Sequence, residues 1–427
     1  MESTQDSRYI IGIDLGTSNS AVYYVDTEKN LNLRHFKIPQ LTAAGETSSA
    51  KLLPSFTYLP GNEITESQKK LPWETDSSIL IGTYARDQGS QVPNRLISST
   101  KSWLSHSGVD RSTAILPWGS DIESKYSPVH VTAFYLNHIR EAWNHKFGHL
   151  EDADGTSCTL ENQQVIITIP ASFDSTAREL TIRAAEIASY KNLTLLEEPL
   201  AAFYAWLNIH DKKWDKIIAV GEKILVVDVG GGTTDFSIIE MDSKKSLHRY
   251  AVGEHLLLGG DNIDMTIARA IEKEWGKKLP HDEWTALQHS CREAKETLLT
   301  TKKQSVTITL LSKGSSVIAS AKSADVTKEQ VLEILNEGFF PELERDAKPP
   351  KKQTAIRQMG LPYASDPAIS KHLLQFLKHA AAIAHNYDES IDPDQPLAIH
   401  KLLFNGGTVI PSPIRTRIKK HIRTWTG

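Results

Sequence analysis

The amino-acid sequence predicts an α/β fold built from two related halves, and three observations support this class. Twice an apolar, strand-like run ends in an aspartate and a glycine-rich turn, first over residues 10–20 and again over residues 224–235. The two aspartates, Asp14 and Asp228, lie 214 residues apart, which is roughly one domain length. Between the hairpins, patterns of buried strands alternate with helical periodicity. We therefore expect two homologous lobes that close on one ligand.

The same alternation continues along the rest of the chain. A continuous apolar run at 165–169 predicts a buried strand that ends at Pro170, and Asp174 then caps a helix running towards Tyr190. A third strand-to-glycine turn follows residues 402–404. Residues 41–50 are rich in Thr, Ser, Ala and Gly and are expected to form a loop, as is the proline-rich stretch 345–367. The other predicted elements are strands at 52–59, 193–196 and 305–311 and helices at 127–147, 200–207, 261–275, 285–299, 327–340 and 369–385.

Composition excludes several classes of function. The 427 residues include 40% hydrophobic and 23% charged residues and carry a net charge of −4, so neither nucleic acid nor an anionic membrane is an expected partner. Two cysteines, Cys158 and Cys291, are too few for a disulfide framework and favour a reducing cytosol. The polar N-terminus lacks the features of a signal peptide, and no apolar run approaches the roughly 18 residues of a membrane span. We expect a cytoplasmic protein.

Both glycine-rich turns carry the residue types that bind nucleotide phosphate. Glycines allow successive backbone N–H groups to face an anion with no Cβ in the way, and neighbouring hydroxyls add donors. An aspartate at the end of each strand is placed to meet a hydrated divalent cation. Asp228 has little structural explanation, because an acid that closes a buried strand is costly without a cation or donors. Each turn alone is weak support, since a plain β-hairpin explains it equally well.

The order of the motifs is more specific than any one of them. After the Asp14 hairpin come Lys101, Pro170, the pair 198–199, the Asp228 hairpin, the glycines at 259–260, a helix with Lys295 and the glycines at 406–407. This order resembles the nucleotide-binding domain of a divergent bacterial member of the seventy-kilodalton heat-shock chaperones (DnaK type), in the actin-like ATPase superfamily. The resemblance covers nearly the whole chain and thins between residues 345 and 402.

The resemblance implies a two-lobed actin-like ATPase fold with duplicated ribonuclease-H-like lobes. Lobe I would comprise residues 1–212 and lobe II residues 213–427. Members of the family continue past the third glycine turn with a helix that completes the second lobe, and the 20 residues after Gly407 are expected to be too few to hold it. The second lobe is therefore expected to be incomplete at its C-terminus.

The resemblance also implies roles for individual residues. Asp14 and Asp228 would hold Mg²⁺ through its waters, while Lys101 would offer positive charge to the γ-phosphate and Glu198 would help to position the attacking water. Thr233 would place its hydroxyl near the γ-phosphate. Apart from these catalytic residues, the expected nucleotide-binding residues are Gly16, Thr17, Ser18, Asn19, Gly230, Gly231, Gly232, Gly259, Gly260, Arg292, Lys295, Glu296, Gly406, Gly407 and Thr408.

Structural explanations compete with two of these roles. Without the flanking loops, Lys101 would be read as a solvated surface lysine, and the loops reverse that preference. Glu198 could equally be there because a helix N-terminus stabilises a nearby negative charge. Glu197 could fill that structural role as well.

The sequence departs from the family in the residues expected to bind the base. The helix that usually carries an acid, a lysine, an arginine and a serine here has Arg292, Lys295, Glu296 and Leu299. The exchange of Arg292 and Glu296 could keep an i,i+4 ion pair while losing the arginine that would stack on adenine. The family's second stacking arginine is also missing from residues 408–411. We expect weaker and less adenine-selective binding than in typical members.

The favoured function is a slow, Mg-dependent ATPase domain of a chaperone, with ATP and ADP as ligands. The expected partners are a peptide-binding domain absent from this chain, a co-chaperone and an exchange factor, and the chain is expected to be a monomer. The alternatives are an actin-like filament subunit, a nucleotide sensor with weak or no hydrolysis, and a sugar or acetate kinase of the same superfamily. A kinase would need a base presented to an alcohol or acid, and Lys101 with Glu198 fits water activation better.

Overall fold

The structure is a computed structural model that describes residues 7–73, 78–106, 108–243, 246–311, 321–350, 356–358 and 361–427. The described residues form two compact units, the first ending at Glu198 and the second beginning at Pro199, with Leu361 grouped with the first. The expected change of lobe between residues 212 and 213 stays a prediction. Both units combine helices with sheets, so the predicted α/β class is confirmed.

The first unit is built on a mixed sheet that carries the first glycine-rich hairpin. Its strands are β1 (Tyr9–Leu15), β2 (Asn19–Asp26), β3 (Arg34–Phe36), β4 (Ile38–Ala43), β5 (Glu46–Ala50), β6 (Leu52–Pro54), β7 (Thr57–Tyr58), β8 (Leu80–Ile81), β9 (Leu96–Ile97), β10 (Gln164–Ile169) and β11 (Asn192–Glu197). Its helices are α1 (Thr83–Gln91), α2 (Thr100–Ser105), α3 (Pro128–Phe147) and α4 (Ser175–Ile187). The main sheet has the order β11-β10-β1-β2-β3, with β6 also paired to β2. Strand β1 therefore lies between a parallel and an antiparallel neighbour.

Helix α3 covers this sheet through an aromatic cluster centred on the buried Trp143. The ring centroid of Trp143 lies 5.3 Å from those of Tyr9 and Tyr24 and 5.4 Å from that of Phe36, which belong to β1, β2 and β3. Aromatic side chains bury large areas, and packed pairs add to that stabilisation. The strand that ends near Asp14 is thus supported by a packed core beneath it.

The second unit is organised around the second hairpin. Its strands are β12 (Lys223–Val229), β13 (Thr234–Met241), β14 (Leu247–Val252), β15 (Ser305–Leu311), β16 (Ala321–Thr327), β17 (Ile356–Gln358), β18 (Leu361–Tyr363, whose first residue is grouped with the first unit) and β19 (Lys401–Asn405). Its helices are α5 (Glu198–His210, starting at the last residue of the first unit), α6 (Gly260–Glu274), α7 (His281–Thr300), α8 (Lys328–Glu333), α9 (Ile369–His385) and α10 (Ser412–Thr426). The sheet order is β14-β13-β12-β19. Among the helices of the described ranges, none has the length and hydrophobicity needed to cross a bilayer.

Short helical turns complete the backbone. A π-helical turn, Ile334–Phe339, continues α8, so the helix predicted at 327–340 is present with a change of pitch. The 3₁₀ turns lie at Glu66–Gln68, Pro93–Arg95, Leu160–Asn162, Asp211–Lys216 and Gly407–Val409. The loop predicted at 345–367 falls partly outside the described residues, and β17 and β18 lie within its described part.

Strand β12 is the centre of the second unit. Every residue from Ile224 to Val229 is buried, because β12 has a strand on each side and helices cover the sheet. A strand buried on both faces has a continuous apolar sequence rather than an alternating one. Helices α7, α9 and α10 contribute to the same core, for example through Leu287, Leu377 and Trp425.

The loop expected at 41–50 was a wrong prediction. Strands β4 and β5 form an antiparallel hairpin there, with Gln40 opposite Ser48 and Leu41 opposite Thr47. The side chains of β5 from Glu46 to Ser49 are exposed, so this strand has no apolar face for the sequence to reveal. Its composition therefore resembled that of a loop.

The expectation that no helix could fit after Gly407 was also wrong. Helix α10 occupies Ser412–Thr426, and fifteen residues are enough for about four turns. It buries Ile414, Ile418, Ile422 and Trp425, whose spacing places them on one helical face. The C-terminal segment thus packs into the core of the second unit.

Two buried histidines make the stability of the fold sensitive to mild acid. Burial lowers the pKa of His138 in α3 and that of His421 in α10 to about 4. The His138 Nε2–H donates to the Pro39 carbonyl at 2.9 Å, and the ring of His421 stacks on Trp425 with centroids 4.9 Å apart. Both rings are therefore neutral in the folded protein at pH values where an unfolded histidine, with a pKa near 6.5, takes up a proton.

We expect the free energy of unfolding to fall as the pH drops below about 6.5, and the loss to level off below the folded pKa of about 4. At pH 5.5 each histidine should cost about 1 kcal/mol relative to pH 7.5. Urea unfolding at the two pH values measures the loss. The control is His138→Gln, whose amide can still donate to the Pro39 carbonyl but does not titrate. An unchanged pH dependence in this variant would contradict the assignment to His138.

Candidate functional site

Asp14 lies at the end of β1, where the first glycine-rich turn begins. In the sheet it is opposite Thr168 of the parallel strand β10 and Ala21 of the antiparallel strand β2. Its carboxylate is exposed, and the Thr168 hydroxyl donates to Asp14 Oδ1 at 3.1 Å. The carboxylate is therefore held at one oxygen and open to solvent.

The first turn is closed too tightly for any side chain at its start. A Cβ built on Gly16 would lie 2.3 Å from the carbonyl oxygen of Asn19. Ser55 ties the turn from outside, since its hydroxyl donates to the Gly16 carbonyl at 2.8 Å and its N–H donates to the Ser18 carbonyl at 2.9 Å. Sequence reasoning missed Ser55, which lies outside any recognisable motif.

The first unit brings Lys101 and Glu198 together, and their roles in hydrolysis stay predictions. Lys101 lies in the first turn of α2, after Ser99 in a left-handed conformation with φ of 54°. Its ammonium forms an ion pair with the Glu198 carboxylate, and the two side chains are 11% and 12% exposed. Lys101 and Gly16 also line a cavity of about 10 Å³ together with Ser55 and Thr100. Leu15, Leu104 and Tyr135 line the same cavity, so its wall is mainly apolar.

The second hairpin resembles the first, because an aspartate near the end of its first strand accepts a hydrogen bond from a side chain on the parallel neighbouring strand. Asp228, which is 8% exposed, is the last residue but one of β12 and lies opposite Asn405 of the parallel strand β19 and Asp235 of the antiparallel strand β13. The Asn405 side-chain amide donates to Asp228 Oδ2 at 2.8 Å. Asn405 was outside the predicted site, although it directly precedes the third glycine turn.

Gly406 brings that third turn against Asp228. Its φ of +86° is in the left-handed region, and a Cβ built on it would lie 2.3 Å from the Val229 carbonyl oxygen and 2.8 Å from Asp228 Oδ1. The third turn therefore packs directly beside the aspartate, and its contact with a nucleotide stays a prediction.

The loop 230–233 is held by segments distant in sequence. The Gly230 N–H donates to the Thr233 carbonyl at 2.9 Å, and the Gly230 carbonyl accepts from the Gly260 N–H at 3.1 Å and from the Thr408 hydroxyl at 2.8 Å. The N–H of Asp261 donates to the Gly231 carbonyl at 2.7 Å. The structure therefore joins three of the predicted segments, at 230–233, 259–260 and 406–408. Their direct contact with a nucleotide stays a prediction.

The residues expected to bind the base belong to a cluster of charges between α6 and α7. Lys295 Nζ lies 2.7 Å from Asp264 Oδ1 and donates to the Gly260 carbonyl at 3.0 Å. The Arg292 guanidinium pairs with Asp261 and, at 3.3 Å, with Asp264. Glu296 is exposed, and its pairing along α7 with Arg292 stays a prediction. The two cations are thus matched by two aspartates that the sequence analysis did not include.

Asp235 is a further buried acid of the second hairpin that was missed. It is 5% exposed and lies 3.1 Å from Nδ1 of His255. The signal was present in the sequence, because a second acid follows the glycine turn within an apolar strand. A buried acid of this kind needs donors or a cation.

The fold and the two hairpins are typical of α/β proteins that bind nucleotide phosphate, and comparisons with known proteins identify the family. The family model described as Hsp70 protein matches residues 10–352. The chain therefore belongs to the Hsp70 family. The predicted resemblance and the two-lobed actin-like ATPase fold are confirmed, and the filament and sensor alternatives are not favoured.

Individual relatives show the same likeness at moderate identity. The chain is 30% identical to the chaperone protein HscA homolog of Pseudoalteromonas atlantica over 269 residues, which covers 62% of this chain and 38% of the relative. It is 29% identical over 269 residues to the chaperone protein DnaK of Thermoplasma volcanium, and the match covers 63% of this chain and 36% of the relative. It is 28% identical over 292 residues to the chaperone protein DnaK of Thermosipho melanesiensis, and the match covers 67% of this chain and 40% of the relative. The matches thus span between 36% and 40% of these relatives' length.

Proposed function

We propose that this chain is the nucleotide-binding domain of a chaperone and that it binds and slowly hydrolyses ATP with Mg²⁺. The observation that carries the proposal is the repeat of one construction in the two units. In each, an aspartate is the last residue but one of a strand that leads into a glycine-rich turn, and a parallel neighbour places a side-chain donor beside the carboxylate. Each unit has one such turn, and its backbone N–H groups would donate to phosphate.

The donor set suits Mg²⁺. Carboxylate oxygens are the ligands that this hard cation prefers, and it usually keeps several of its waters. The exposed Asp14 and the 8% exposed Asp228 each present a carboxylate beside a glycine turn. When bound, Mg²⁺ would neutralise charge on the β- and γ-phosphates.

The chain's own residues would supply the remaining requirements of phosphoryl transfer to water. The ammonium of Lys101 would offer positive charge to the γ-phosphate, and Glu198 would orient that ammonium and the attacking water. The loops 16–19 and 230–233 would grip the phosphates, with the Thr233 hydroxyl near the γ-phosphate. Positioning and electrostatic stabilisation account for most of catalysis in this reaction class, so little covalent chemistry is needed.

The proposal also covers the response of a partner domain to the bound nucleotide and the cellular compartment of the protein. A peptide-binding domain outside this chain would respond to the nucleotide state, with a co-chaperone and an exchange factor setting the pace of the cycle. The relatives named HscA homolog and DnaK are chaperone proteins, which supports this assignment. We place the protein in the cytoplasm as a monomer.

Calorimetric titration with nucleotides tests the proposal. ATP should bind in the presence of Mg²⁺ and at least about tenfold more weakly in EDTA, since the aspartates act through the cation. GTP should bind within about tenfold of ATP, because Arg292 and Lys295 are already engaged by Asp261 and Asp264. AMP, which lacks the β- and γ-phosphates, is the control and should bind far more weakly. No binding of Mg-ATP would contradict the proposed function, and nanomolar ATP binding with strong rejection of GTP would contradict the weak base selectivity.

A further inference from the structure

The two aspartates have neighbours at equivalent places in their sheets. Asp14 is the last residue of β1 that pairs with the parallel strand β10, and its partner in the register is Thr168. Asp228 is the last residue of β12 that pairs with the parallel strand β19, and its partner is Asn405. Register partners on adjacent strands project to the same face of a sheet. The donor residue and the carboxylate are therefore side by side in both units.

Both neighbours use that position to donate a hydrogen bond. The Thr168 hydroxyl donates to Asp14 Oδ1 at 3.1 Å, and the Asn405 amide donates to Asp228 Oδ2 at 2.8 Å. The residues of each pair are 154 and 177 positions apart in the chain, so neither contact follows from local structure. Two different donor types fill one structural position, and in both cases the donor is uncharged.

An uncharged donor is what a cation site of this kind requires. A lysine or arginine at either place would neutralise the carboxylate and compete with the metal. A hydroxyl or an amide fixes the orientation of the carboxylate while leaving its negative charge and its other lone pairs for the hydration shell of the cation. The buried Asp228 in addition needs such a partner to offset its desolvation.

We propose that Thr168 and Asn405 are positioning residues that orient Asp14 and Asp228 towards a hydrated divalent cation. The inference rests on the proposed function, in which these aspartates hold Mg²⁺. Outer partners of metal-binding carboxylates typically change metal affinity by about 10–100-fold when they are removed. Neither residue needs to touch the cation or the nucleotide to have this effect.

Mn²⁺ binding in the presence of ADP tests the inference without measuring activity. Free Mn²⁺ is followed by electron paramagnetic resonance for wild type, Thr168→Val, Thr168→Ser and Asn405→Leu, with Asp14→Asn and Asp228→Asn as references. Thr168→Val and Asn405→Leu should each weaken Mn²⁺ binding by about tenfold. Thr168→Ser keeps the hydroxyl and should bind Mn²⁺ within about twofold of wild type, which a purely steric role of threonine would not produce.

The reference variants separate failure of the inference from failure of the proposed function. Unchanged Mn²⁺ binding in both Asp14→Asn and Asp228→Asn would refute the cation site itself. Loss in those variants but not in Thr168→Val or Asn405→Leu would refute the positioning role and leave the cation site standing. Loss in Thr168→Ser equal to that in Thr168→Val would also refute it. If Asn405→Leu does not fold, the threonine pair still decides the outcome, because Thr168 is at a strand end beside an exposed carboxylate.

Discussion

Replacement of Lys101 by methionine is expected to lower the single-turnover rate of ATP hydrolysis by about 100-fold or more. The reason is electrostatic, since the methionine fills the same space but offers no charge to the γ-phosphate. The lysine lies in a nearly buried position, where a charge acts through less water than at the surface. ATP affinity should change much less, because the substitution leaves the two glycine loops and the proposed cation site unchanged.

Lys101→Met also removes the ion pair with Glu198, so a loss of stability could be mistaken for a loss of catalysis. A second variant separates the two effects. Glu198 is 12% exposed, and removing its partner leaves its charge in a largely desolvated place, at a cost of up to about 3 kcal/mol of stability. The double variant Lys101→Met/Glu198→Gln has no unpaired charge and should unfold at a urea concentration close to that of wild type. It should hydrolyse ATP no faster than the single variant. A folded double variant with the wild-type rate would show that neither residue acts in hydrolysis.

Gly406→Ala is expected to destabilise the second unit by about 3 kcal/mol. The residue has a φ of +86°, and its new Cβ would overlap the Val229 carbonyl oxygen at 2.3 Å. It would also press on Asp228 Oδ1 at 2.8 Å, so Mg-ADP binding should weaken along with stability. Urea unfolding and calorimetric titration with Mg-ADP measure the two effects.

The adjacent glycine is a matched control for this prediction. A Cβ built on Gly407 meets no atom within 4 Å, and the residue begins the 3₁₀ turn Gly407–Val409. Gly407→Ala should therefore change the free energy of unfolding by no more than about 0.5 kcal/mol. Equal effects of the two substitutions would show that close packing at Gly406 is not what the turn requires.

Local signals made the two hairpins predictable from the sequence. An apolar run, an acid and a cluster of glycines are contiguous, and β1, β2, β12 and β13 follow that pattern closely. Helices with a clear apolar face were also found, and α9 at Ile369–His385 has the predicted bounds. Each of these elements is specified by residues that are near one another in the chain.

Other elements were missed because their stabilising partners are distant or their faces are polar. Strand β5 exposes its side chains, so only its pairing with β4 defines it. The contacts of Thr168 with Asp14 and of Asn405 with Asp228 depend on the order and register of strands, which a single sequence does not specify. The same holds for Asp261 and Asp264, which meet Arg292 only because α6 packs against α7.

The carbonyl oxygen of Gly230 connects the loop 230–233 to two other segments of the second unit. One oxygen accepts both the Gly260 N–H at the start of α6 and the Thr408 hydroxyl in the turn after β19. A carbonyl oxygen has two lone pairs, so this atom is a joint at which three chain segments meet. The loop 230–233 therefore cannot move away from either segment without breaking one of these hydrogen bonds. A displacement of the loop that keeps both bonds would have to move the first turn of α6 and the turn after β19 with it.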